Sequence, residues 1–181
     1  MNKKIRWITE TAIMLALLVT LQALTKPMGQ LVTGSCVNAV LAISALVGGL
    51  ASGITVAVIS PVLAFLLGIA PQILTVPAIM VGNTVYVVLL SLLADATGKN
   101  LVKQAVAWVV AAFAKFVCLY VIVTKLICGV MAPGLLAAGT LKEPMLKALP
   151  ATFSWPQLFT ALIGGAVALV IVPVVKKALH K

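Results

Sequence analysis

The sequence predicts an all-α, polytopic membrane protein of six transmembrane helices with both termini in the cytoplasm. Three observations lead there. Hydrophobic residues make up 63% of the 181 and charged ones only 9%, with a mean hydropathy of +1.24, whereas soluble domains hold ~45–50% apolar and ~25% charged residues. The apolar residues come in continuous runs, without the alternation of barrel strands, so backbone groups facing lipid must be satisfied inside helices. The charges gather in the intervals between those runs.

A span takes ~20 mostly apolar residues to cross ~30 Å of hydrocarbon. The first helix is expected at about 5–24, behind Lys3, Lys4 and Arg6 and ahead of Lys26-Pro27. Leu21-Gln22-Ala23-Leu24 offers no small-x-small cleavage site, so this helix reads as a retained signal anchor. No charge lies between Lys26 and Asp95, so that stretch must hold several helices punctuated by Gly and Pro. Residues 26–35, with two Gly and a Pro, read as a loop. The second helix follows at about 36–50, a turn at Ala51-Ser52-Gly53, and the third helix at about 54–69, where Pro61 would introduce a kink. A short connection at 70–77 leads to the fourth helix, about 77–94, with Pro77 in its first turn. The polar turn Asp95–Asn100 precedes the fifth helix, about 101–123 or a little longer. Residues 131–154 read as a long loop with room for a short helix. Ser154-Trp155-Pro156 then looks like a cap and first turn for the sixth helix, about 155–175. The whole chain, 1–181, forms one membrane domain, with no internal repeat.

The net charge of +10 comes from 13 Lys and Arg against 3 acids. No basic stripe carries the interleaved aromatics that nucleic-acid binding would use, so no nucleic-acid partner is expected. The basic residues distribute by side. Lys3, Lys4, Arg6, Lys99, Lys103, Lys176, Lys177 and Lys181 share the side of the termini, and Lys26, Lys125, Lys142 and Lys147 lie opposite. That bias sets the termini in the cytoplasm.

Catalysis is not expected. Glu10, Asp95 and Glu143 sit at helix ends or in a loop, so no carboxylate pair is available for acid–base work. The single His is His180, near the C-terminus, and Cys36, Cys118 and Cys128 show no metal-ligand spacing. No cofactor or metal is expected. There is no G-x-x-x-x-G-K-[ST] loop for ATP and no acid within a span for proton coupling. Uphill transport would therefore draw its energy from another subunit.

Lys115 is the sharpest candidate, an ionisable group in the middle of the fifth span. An ammonium at that depth costs ~3 kcal/mol or more unless paired or hydrated. It either meets a ligand carboxylate, phosphate or ring carbonyl, or bonds a neighbouring backbone carbonyl. Asn38 and Asn83 lie inside the second and fourth spans and need partners there, from a ligand or from another helix. Trp108 shares the face of Lys115, one heptad earlier, and Tyr120 and Tyr86 could add stacking or hydroxyl contacts. Packing or an interfacial belt is the stronger explanation of these aromatics. Small residues form a second pattern: Ala12-x-x-x-Ala16, the cluster from Ala42 to Gly53, and Gly164-Gly165. They suit close packing inside the bundle or a smooth face for a partner helix.

Six apolar helices in about 180 residues, Ala12-x-x-x-Ala16, a lid-like loop at 26–35 and the fourth-helix segment Pro77–Asn83 together resemble the substrate-binding S component of an energy-coupling factor (ECF) transporter. The resemblance implies capture of a small water-soluble vitamin or similar micronutrient outside a bacterial cell membrane. The pocket would lie near the outer ends of the fourth to sixth helices, under the loop at 26–35. It also implies a transmembrane coupling subunit facing Ala12 and Ala16, and two ATPase subunits. A self-sufficient small carrier or channel is the rival reading of the residues.

Overall fold

In a computed structural model, residues 3–69, 72–94 and 100–179 are described. They form helices and no strand. In chain order these are α1 (Lys3–Thr25), a 3-10 turn at Lys26–Met28, α2 (Gln30–Gly48), α3 (Leu50–Leu66), a 3-10 turn at Ile73–Thr75, α4 (Val76–Leu93), α5 (Leu101–Leu119), α6 (Ala132–Ala137), α7 (Glu143–Thr152) and α8 (Trp155–Ala178). Beyond Leu119, α5 continues as a π-helix over Tyr120–Val130. Five of these helices are long and apolar enough to cross a membrane, and α3 is apolar but shorter.

The helix ends depart from expectation where glycine and proline mislead. Residues 30–35 belong to α2, so the expected loop at 26–35 shrinks to Lys26–Gly29. The break falls at Gly29, whose φ of 90° only glycine adopts without strain. The turn expected at Ala51-Ser52-Gly53 is the single residue Gly49, with φ 86°, and those three residues form the first turn of α3. Residues 131–154 hold two helices, α6 and α7, where a loop with at most one was expected. Pro133 and Pro144 stand in their first turns, where a missing N–H costs nothing. Ser154 precedes α8, but its hydroxyl donates to the Ala151 carbonyl at 3.4 Å and does not cap the helix. Asn100 does cap: its Oδ1 accepts from the Lys103 N–H at 3.0 Å. The expected turn at 95–99, Pro71, His180 and Lys181 lie outside the described residues.

The core forms around α2, which packs against α1, α3, α4 and α8. Its segment Asn38–Ala45 is buried all round, as expected of a central rod. Most of the small residues serve this packing. Ala42, Ala45, Ser52 and Gly53 are buried. A Cβ on Gly164 would meet the Ser35 carbonyl oxygen at 2.5 Å and the Ala39 nitrogen at 2.7 Å, so α8 touches the α2 backbone directly. Gly164→Ala is therefore expected to lower thermal stability by about 1–3 kcal/mol, the usual effect of overpacking. A melting curve of the purified variant checks this.

Ala12 and Ala16 are exposed, as are Gly49 and Ala51 at the α2–α3 turn. Thr11 and Leu18 turn α1 inward, and the Thr11 hydroxyl lies 2.9 Å from Ser52 Oγ in α3. One hundred degrees per residue then places Ile5, Ile8, Ala12 and Ala16 on a common outward face, all of them exposed.

A second apolar cluster joins Leu149 and Phe153 to Leu119, Val123 and Ile127. It fastens α7 onto the π-helical end of α5. The bundle is thereby covered at the end opposite the termini.

Candidate functional site

That covered end holds a cavity of about 190 Å³. The end of α1 contributes Gln22. Lys26, Gly29, Gln30, Thr33, Gly34, Val37 and Asn38 come from the junction to α2 and its first turns. Ile69, Ile79 and Asn83 come from the end of α3 and the start of α4, Lys115 from α5, and Thr152, Phe153 and Gln157 from α7 and α8. The segment at 26–35 does border this space, mostly as helix. The α7–α8 junction closes it from the other side.

Three of the residues singled out from sequence meet at its floor. The Lys115 ammonium donates to Asn38 Oδ1 at 2.6 Å and to Asn83 Oδ1 at 2.7 Å. Lys115 is 3% exposed and each asparagine 1%. An ammonium can only donate, so both amides must turn their oxygens toward it. The ring of Tyr86 adds its π-face, with the ammonium 5.6 Å from the centroid. Asn38 spends its amide nitrogen on the Gly34 carbonyl at 2.9 Å and on Thr160 Oγ1 at 3.2 Å. Two helices thus present neutral oxygens to a cation on a third, and among the described residues no carboxylate lines the space.

The aromatics lie elsewhere. Tyr86 is fully buried behind Lys115, its hydroxyl 3.5 Å from the Ala161 carbonyl. Trp108 donates to that same carbonyl at 3.3 Å and packs against Gly165. Tyr120 stands in a row with Phe116, Phe113 and Trp155; Phe116 stacks on Trp155 at 5.4 Å. None of the three borders the cavity.

Several lining residues escaped the sequence reading: Gln22, Gln30, Thr33 and Thr152. Gln22 and Lys26 stand one helical turn apart, and Gln30 and Thr33 lie on one side of α2, which would have signalled a wetted face. Treating 26–35 as a loop hid that periodicity. Lys26 itself, noted only as a charge, donates to the Gly68 carbonyl at 2.7 Å across the mouth.

A family model described as "ECF transporter, substrate-specific component" matches residues 6–176. The chain belongs to that family. It is a substrate-binding component of an ECF transporter and thus a multi-pass membrane transport protein, a class that binds substrate and is not enzymatic. Membership implies a small-molecule substrate and partnership with coupling and ATPase subunits. Comparisons with curated proteins and with solved structures give no match.

Proposed function

We propose that this chain captures a small water-soluble vitamin or related micronutrient at the outer face of the cell membrane. Six spans, α3 among them, would place both termini in the cytoplasm and the cavity outside. A coupling subunit and two ATPases would then carry the captured molecule inward.

The observation that carries this reading is the buried ammonium of Lys115, held by Asn38 and Asn83 at the floor of the cavity. Three helices converge their polar groups on one point in an otherwise apolar bundle, the usual form of a small-molecule site. Lys115, Asn83 and Asn38 are the proposed ligand contacts, joined by Gln22, Gln30 and Gln157. Trp108, Tyr86 and Tyr120 support the site from behind or anchor the bundle. The exposed Ala12 and Ala16 form the face offered to the coupling subunit.

Reconstituted vesicles test the reading. The chain alone should bind a nutrient and accumulate nothing, and accumulation should appear only with the coupling subunit, the ATPases and ATP. Uphill uptake by the chain alone contradicts it and favours a self-sufficient carrier.

A further inference from the structure

The charge of the cavity restricts its ligand more than its shape does. Lys26 stands exposed at the mouth and Lys115 is buried at the floor. Among the described residues the acids are Glu10 and Glu143. Glu10 is paired with Arg6 at 2.9 Å, and Glu143 lies in the first turn of α7. Neither borders the cavity. A buried cation without a counterion is costly, and a bound anion would supply one.

The open donors narrow the choice. Of the three N–H groups of the Lys115 ammonium, two go to the asparagine oxygens. Both N–H groups of Asn38 are engaged, by Gly34 and Thr160. The bond from Lys115 uses the Asn83 oxygen, and the Asn83 amide nitrogen donates to no described residue. Three N–H groups therefore remain beside one positive charge: the third of the ammonium and both of the Asn83 amide. A carboxylate matches the single charge, and the lone pairs of its two oxygens can accept all three N–H groups. A phosphate ester would bring a second charge that the floor leaves unmatched. The volume of about 190 Å³ also falls below the ~300 Å³ at which sites for drug-sized molecules begin.

Resting on the proposed reading of this cavity as the ligand site, we infer that the substrate is a compact organic carboxylate, its acid group seated between Lys115 and Asn83. Lys26 at the mouth draws the anion in.

The test uses the full chain in lipid nanodiscs. The protein is purified from cells grown in rich medium and denatured, and the released small molecule is identified by mass spectrometry. That compound and its primary amide are then titrated back. The expected result is a carboxylate whose amide binds at least tenfold more weakly, the scale of a lost charge-assisted contact. Lys26→Gln should weaken capture about threefold at low salt and converge with the parent protein at ~1 M salt, where screening acts within ~3 Å. A released compound that is neutral, cationic or phosphorylated overturns the carboxylate and leaves the ligand site standing. Equal affinity for acid and amide does the same. A protein that releases and binds no small molecule counts against the proposed function itself, and against the carboxylate with it.

Discussion

Lys115→Ala is expected to weaken nutrient binding by about 1.5–3 kcal/mol, roughly tenfold to more than a hundredfold, because a charge-assisted contact is lost. Folding stability responds differently from affinity at this position. The ammonium is 3% exposed and meets only neutral oxygens and a ring face. Its removal relieves a desolvation cost while stranding two asparagine oxygens. Those effects oppose each other, so stability should change little. Lys115→Met preserves the volume and separates the two roles most cleanly. Its melting temperature should stay near that of the parent protein while affinity collapses. Unchanged affinity in either variant removes Lys115 from the site.

The second large effect belongs to the opposite kind of surface. Ala12→Trp and Ala16→Trp should leave ligand affinity unchanged and abolish stable assembly with the coupling subunit. Both alanines are exposed, on a face shared with Ile5 and Ile8, and they lie far along α1 from Gln22 and Lys26, which border the cavity. An indole there would hold apart two helices that small residues allow to approach closely. Val170→Trp on α8 is the control, since Val170 is equally apolar and 74% exposed. Co-purification of the coupling subunit reads the difference. Wild-type assembly by both alanine variants would refute this docking face.

The membrane class and the number of apolar helices could be read from composition and run length, because lipid leaves the backbone few choices. Lys115, Asn38 and Asn83 also stood out one by one, as polar groups where burial is costly. Their meeting could not be read. Asn38 and Lys115 are 77 positions apart, and Asn83 and Lys115 are 32 apart; a period of 3.6 orients one helix and says nothing about its neighbours. The start of α2 was hidden for a related reason. Gly34, in a stretch rich in Gly, suggests a loop, yet it is small because Thr160 of α8 presses against it, and its added Cβ would meet that side chain at 2.7 Å. Pro133 and Pro144 suggested a loop and instead open α6 and α7. In each case a residue type with two physical uses was read in the commoner one. The π-helical run over Tyr120–Val130 had no visible signal; its register shows in the Met131 N–H, which reaches the Leu126 carbonyl at 2.9 Å.

The cavity floored by Lys115 is proposed to hold the transported nutrient, and an experimental structure of the nutrient-loaded protein decides this. The ligand should lie among Gln22, Asn38, Asn83 and Gln157, with an acceptor atom ~2.7–2.9 Å from Lys115 Nζ. A ligand seated anywhere else, such as the apolar groove between α1, α2 and α8 that Met14, Cys36 and Val167 line, would contradict it.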